Sequence, residues 1–218
     1  MYFKTLLLFV VIISFLVTGC GDNRSAHNQH DSTTVSIGKQ VWMKKNLDVD
    51  HYRNGDPIPM VADPDKWEKL TTGACCFIGN DSAMGAIYGK LYNWYAVNDP
   101  RGLAPAGWHV ASEKEWIELS NYLGKDDLAG GKLKEAGTTH WKSPNTGGTN
   151  ESGFTALPGG WRYYLRTDIQ ISNYGYWWTS TEIDVTNAWN RSMNSNSERI
   201  TCEVGYKLDG LSVRCIRD

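Results

Sequence analysis

"YWWTSTE", Tyr176–Glu182, sets three aromatic side chains in a row ahead of three small hydroxyls and a carboxylate. Consecutive side chains of a strand point to opposite faces, so only one of Trp177 and Trp178 can enter a given core, and the other must meet a helix, a loop or solvent. Three further runs of the same kind follow, "AWNRSM" (188–193), "RITCEV" (199–204) and "LSVRCIR" (211–217), separated by Gly, Asn and Asp. Their short alternating pattern predicts a compact antiparallel sheet built from all four.

Upstream of these runs the periodicity changes. "SEKEWIELSNYLG" (112–124) carries Ser112 and Glu115 at capping-box spacing, Trp116, Leu119 and Leu123 along one face, and Gly124 as a stop, which predicts a helix from about Ser112 to Leu123. A second short helix is expected over "LAGGKLKEA" (128–136), weakened by its double glycine. "YGKLYNWYAV" (88–97) suits either a helix, with Leu91, Trp94 and Tyr95 on one face, or an aromatic-rich strand. "VSIGKQVWM" (35–43) alternates on both sides of a glycine turn and reads as a hairpin, and "SPNTGGTNESG" (143–153) reads as loop. Helices early and strands late, without a βαβ rhythm, predict an α+β domain.

The first residues supply an address. Lys4 precedes a twelve-residue apolar core, Leu6–Val17, which is too short to span a bilayer. That core runs into "VTGC" (17–20), which resembles the bacterial lipoprotein signal. The resemblance implies that residues 1–19 are removed, that Cys20 is lipidated, and that the protein is anchored to the membrane of the cell envelope, at the outer membrane or cell surface, through acyl chains worth about 0.8 kcal/mol per buried methylene. The polar stretch 21–34 reads as a flexible tether, and His27 and His30 within it lack the fixed geometry of metal ligands. The domain then spans 35–218.

Composition excludes some partners. The chain carries 22 basic and 24 acidic side chains for a formal charge of −2, so no basic stripe argues for nucleic acid. Apart from Cys20, four cysteines remain, Cys75, Cys76, Cys202 and Cys215, in an oxidising compartment and without CxxC spacing. They allow three pairings, and the residues alone do not choose between them.

Several phrases occur together: "GKQVWMKKNL" (38–47), "YGKLYNWYAVNDPRGLAPAGWHVASEKEW" (88–116), "GGKLKEAGTTHW" (130–141), "NESGFTALPGGWR" (150–162), "YWWTSTE" and "GLSVRCIRD" (210–218). They resemble the Fibrobacter succinogenes major paralogous domain of exported bacterial lipoproteins, a family without a known activity. In that family "GA-x-C" carries a cysteine, which falls on Cys76, and "SVRC" ends on Cys215. The resemblance implies that these two pair, leaving Cys75 to Cys202. A shorter likeness, "GWHVASEKEW" (107–116) with the closing "GLSVRCIRD", is similar to the formylglycine-generating sulfatase-modifying domains. It implies a C-type-lectin-like fold with short helices and small antiparallel sheets, although His109 and Ala111 depart from the pattern.

The chemistry of this likeness does not carry over, because the paired reactive cysteines of the oxidase have no counterpart beyond Cys202 and Cys215. Gly-x-Ser-x-Gly, phosphate-loop and His-Glu-x-x-His motifs are missing from the sequence. His109, Ser112 and Glu115 form a superficial catalytic trio, but Ser112 and Glu115 are better used as a helix cap. Glu151 and Glu182 form a candidate glycosidase pair. The calcium loop of sugar-binding C-type lectins has no counterpart, and Arg191 stands where an acid would bind the ion. Asn150, Glu151 and Glu182 remain oxygen donors for a structural calcium. Trp177, Trp178 and Trp189, with Glu182, form a candidate sugar platform. The resulting expectation is a monomeric, non-catalytic binding or adhesion module without a cofactor, its ligand a glycan or a surface protein. A carbohydrate-active enzyme and a purely structural lipoprotein are the alternatives.

Overall fold

Gly38, at φ +61°, turns the chain between β1 (Thr34–Ile37) and β2 (Gln40–Met43), so that Val35 faces Trp42 across an antiparallel ladder. This is the hairpin expected from the alternation. The structure is a computed structural model that describes residues 32–163 and 170–218. The signal segment, Cys20, His27 and His30 lie outside the described residues.

Helix α1 (Pro64–Trp67) starts where Asp63 accepts from the amides of Asp65 and Lys66 and proline fills the first helical position. Strand β3 (Cys75–Cys76), helix α2 (Ser82–Tyr88) and strand β4 (Leu91–Tyr92) follow, with β3 and β4 paired antiparallel. Asn93 then caps α3 (Trp94–Val97) through the amide of Ala96. The ambiguous stretch 88–97 is therefore both things in turn, two residues of strand and one turn of helix, because Asn93 interrupts the ladder.

After β5 (Trp108–Val110), helix α4 (Glu113–Tyr122) begins with the capping box read from the sequence, Ser112 and Glu115 each serving the other's backbone. Helix α5 (Asp126–Leu133) starts two residues earlier than expected and ends sooner, because Lys134 leaves it to bridge Ala156. Its two glycines are required by contact. A Cβ on Gly130 would lie 2.2 Å from the Arg199 carbonyl oxygen, and one on Gly131 would lie 2.5 Å from that of Gly147.

The late runs divide between two sheets. Strands β6 (Tyr174–Glu182), β7 (Asn187–Asn194) and β8 (Ile200–Tyr206) form a meander, as expected. The last run does not join it. Strand β9 (Cys215–Arg217) instead enters a sheet of order β1-β2-β9-β5, where Ile216 pairs with Trp42 on one side and His109 on the other. Fusing the run with its neighbours in sequence was wrong because its apolar residues complete the core beneath the hairpin. The fold is α+β, with short helices and small antiparallel sheets.

Strand β6 is covered on both faces. Trp177 packs with Trp42, Trp116 and Phe154, while Trp178 packs with Tyr92, Trp94 and Val213, and both indoles are 0% exposed. Each ring also satisfies its N–H, Trp177 on Asn46 Oδ1 at 2.9 Å and Trp178 on the Tyr92 carbonyl at 2.8 Å. Buried cations knit the surroundings. Lys134 donates to the carbonyls of Thr146, Asn194 and Ser197 while lying over Trp141, and Arg162 donates to those of Val61 and Ala62 while lying over Trp67.

The cysteine scheme is corrected. Cys75, Cys76, Cys202 and Cys215 are free thiols. The register Cys75↔Tyr92 sends Cys75 into the cluster that holds Cys215, and Cys76, facing the other way, enters a different cluster with Trp67 and Ile78. Cys202 pairs across the meander with Arg191 and lies beside Glu113, in surroundings not shared with Cys75, the partner expected for it.

Candidate functional site

Tyr174 and Tyr176 sit two residues apart on β6 and therefore share a face of the meander. Gly175 between them is needed by packing, since a Cβ there would come within 2.4 Å of the Trp177 ring. The two phenol rings stack at 5.8 Å and 20°, and Trp161 closes on Tyr176 edge to face at 4.7 Å. All three rings are half-buried, which leaves aromatic surface facing solvent. The register adds polar groups to the same face: Tyr176 is opposite Ser192, Trp178 is opposite Asn190, and Asn190 is opposite Glu203.

Ser192 donates its hydroxyl to Glu203 Oε1, and no second partner for this carboxylate occurs among the described residues. Burial pushes the Tyr176 hydroxyl pKa up, and the nearby Glu203 and Tyr174 add to the effect, so Tyr176 stays a neutral donor and acceptor. Asn190 is 3% exposed, and its Oδ1 is a buried acceptor without a partner among the described residues. Flat, partly open rings beside a carboxylate match a sugar, whose C–H face stacks while its hydroxyls bond at the edge, with the buried Ser192 and Asn190 supporting the site from beneath.

This platform lies on the strand singled out from the sequence but is built from different residues. Trp177 and Trp178 are wholly buried and cannot stack on a ligand, which corrects their assignment. Trp189 is half-buried and alternates with Asn190, so it faces the other side of the meander beside Val204. Glu182 is bound to the buried Lys207. Tyr174, Tyr176, Trp161 and Glu203 were missed. The signal for the first two was present in the period-two spacing of "YGY", masked by the two tryptophans that follow.

The other candidates separate. Glu151 pairs with Lys132 of α5 at 2.9 Å, and Glu182 with Lys207 beyond β8, so the proposed carboxylate pair is split between two lysines. Asn150 spends its amide oxygen on the Thr155 N–H at 2.8 Å, and the calcium donors do not converge. Among the described residues no group of three or more His, Cys, Asp or Glu side chains is placed to hold a metal. His109, Ser112 and Glu115 do meet. Glu115 Oε1 lies 2.7 Å from His109 Nε2, its Oε2 takes the Ser112 hydroxyl at 2.7 Å, and Asp218 Oδ1 lies 2.7 Å from His109 Nδ1. With the Ser112 hydroxyl held on a carboxylate and both imidazole nitrogens occupied, this is a clamp on the helix start and not a nucleophile with its base.

No helix among the described residues is long and apolar enough to cross a membrane. No curated protein matches this chain, and no solved structure does. The sequence profile of the Fibrobacter succinogenes major domain matches residues 35–217, from the start of the hairpin to the end of β9. By that match over nearly all of the folded region, the chain belongs to the Fibrobacter succinogenes major domain family.

Proposed function

We propose that this protein is a lipid-anchored, non-catalytic binding module of the cell envelope whose ligand is a glycan held on Trp161, Tyr174 and Tyr176. The observation that carries this reading is the cluster itself, with rings 4.7 and 5.8 Å apart and partly open to solvent beside the Glu203 carboxylate. Aromatic surface of this kind binds sugars weakly and reversibly, as adhesion requires. Glycoside hydrolysis needs two carboxylates roughly 5 to 9.5 Å apart across a cleft, and Glu203 of the platform is tied to Ser192 instead. The union of the first hairpin with the closing strand supports a C-type-lectin-like reading of the fold. The lipoprotein-like "VTGC" supports anchoring through Cys20.

Affinity electrophoresis of the full chain in detergent through gels containing neutral polysaccharides tests the reading. Retardation by at least one polysaccharide, lost in Tyr176→Ala and Trp161→Ala, is the expected result. Migration unaffected by every polysaccharide sinks the glycan reading in favour of a purely structural lipoprotein.

A further inference from the structure

A concave surface shares no residue with the platform. It encloses about 740 Å³ between the end of β2 and the start of β5, with Lys44, Lys45, Pro105, Trp108, Thr155 and Arg217 on its walls. That volume falls within the range of small-molecule sites, roughly 300 to 1,000 Å³. The chain as a whole is acidic at −2, yet this cleft is basic. Lys44, Lys45 and Arg217 are in no ion pair among the described residues, and the one acid on the walls, Asp48, is already matched to Lys90 at 2.7 Å.

Positive charge also lies beneath and beside the walls, from the buried Arg214 and the exposed Arg53. Arg214 is fully buried and donates to the Met43 carbonyl at 2.7 Å, the Phe154 carbonyl at 2.9 Å and Asn46 Oδ1 at 3.1 Å, with no carboxylate partner among the described residues. Arg53 donates to the Trp108 carbonyl at 2.8 Å and the Ala104 carbonyl at 3.1 Å. These guanidiniums fix the cleft's backbone while leaving their charge uncancelled, so the field inside favours anions. Thr155 on the same wall holds φ +56°, an unfavourable conformation for a β-branched residue, kept in place by two bonds to Asn150. Trp108 is half-buried and offers a ring face, with Arg217 5.0 Å from its centroid.

We infer that this cleft binds an acidic saccharide, its sugar ring against Trp108 and its carboxylate or phosphate between Lys44, Lys45 and Arg217. Guanidinium and ammonium donors suit both oxyanions, and the guanidinium can hold either one bidentately. The site is independent of the aromatic platform, so the protein has one surface for neutral glycan and one for acidic glycan.

Isothermal titration calorimetry of the full chain in detergent, with trigalacturonate, glucose 6-phosphate and maltotriose as probes, decides it. Trigalacturonate is expected to bind, with affinity falling by about tenfold or more as salt rises past the range where surface charges are screened. The double variant Lys44→Gln/Arg217→Gln, one side chain half-buried and the other exposed, is expected to lose about tenfold or more. Tyr176→Ala, on the other surface, is expected to leave this binding unchanged. Binding of glucose 6-phosphate alone assigns the oxyanion as phosphate and supports the site. Failure of both acidic probes to bind, maltotriose binding as tightly as trigalacturonate, or the double variant binding like wild type would each overturn it.

Discussion

Arg214 donates from Nη1 to the Met43 carbonyl at 2.7 Å, joining the segment that leads into β9 to the end of the N-terminal hairpin. The same nitrogen reaches the Phe154 carbonyl at 2.9 Å, and the guanidinium lies 4.1 Å from the Phe154 ring centroid. One side chain thus ties three remote segments. Burial pushes its pKa down to about 9, and among the described residues no carboxylate pairs with it to offset the loss of water.

Arg214→Ala would leave the carbonyls of Met43 and Phe154 without their donor, at about 1 to 3 kcal/mol for each buried group. Relief from burying the charge offsets part of this loss, so a net destabilisation of roughly 3 kcal/mol is expected. Chemical denaturation is the measurement, read as a lower midpoint with an unchanged slope. A midpoint equal to that of wild type would show that other donors or water take over.

His109 makes stability depend on pH. Burial lowers its pKa, but the bonds to Glu115 and Asp218 outweigh this, and the net shift is up from 6.5. The folded state therefore holds the proton more tightly, so the contribution is complete below about pH 6.5 and fades as pH rises through the raised folded value. Glu115 behaves oppositely. Burial raises its pKa, yet the Ser112 and His109 bonds bring it below 4.5, so its contribution is present above that pH and is lost as pH falls through the lowered value. Thermal unfolding across pH should show a decline on the alkaline side that His109→Gln flattens. An identical profile in the variant would remove the clamp as its cause. At a fixed pH, Ser112→Ala should cost about 1 kcal/mol through loss of the cap.

Gly130→Ala is expected to destabilise the fold strongly. The added methyl would sit 2.2 Å from the Arg199 oxygen and 2.8 Å from that of Glu198, both backbone atoms that cannot swing aside. Overpacking of this kind costs about 1 to 3 kcal/mol, more than alanine's helix propensity returns. Circular dichroism melts compare the variant with wild type, and a gain in melting temperature would show that α5 can shift away from the Glu198–Arg199 loop.

The thiols should be slow to react while the protein is folded. Burial pushes Cys75, Cys202 and Cys215 up to about 12 and Cys76 to about 11, so little thiolate exists near neutrality. Cys202 is half-exposed and the other three are buried, which predicts that it is alkylated first and the rest only on unfolding. Mass spectrometry of timed alkylation under non-reducing conditions follows the order. Modification of Cys76 before Cys202 would contradict the burial described here.

The sequence revealed elements whose signals are local. The Ser112–Glu115 box sits within one turn, and Gly38 marks a two-residue turn, so both were legible without knowledge of the rest of the fold. Partners distant in sequence were not. Ile216 could have extended the meander as easily as it joins Trp42, because alternation shows that a strand has two faces and does not say which neighbour pairs with it. The same limit misplaced the binding surface. "YWWTSTE" correctly identified the strand, but whether its tryptophans or tyrosines face water depends on what covers each side. Trp42 and Trp116 cover one face at Trp177, while the Tyr174–Tyr176 end of the other stays partly open. The cysteine assignment failed similarly, since adjacent thiols are alike in sequence and only the register Cys75↔Tyr92 separates their surroundings.

The place of β9 between β2 and β5 also governs when this chain can fold. During synthesis the hairpin emerges early, with Val35 already opposite Trp42, but its sheet lacks a central member until Ile216 has been made to pair with Trp42 on its other side. Folding vectorially from the N-terminus is thereby discouraged, and the nascent polypeptide stays loose until late. Such a chain stays pliable for most of its synthesis, and it locks only after its last strand can meet the hairpin.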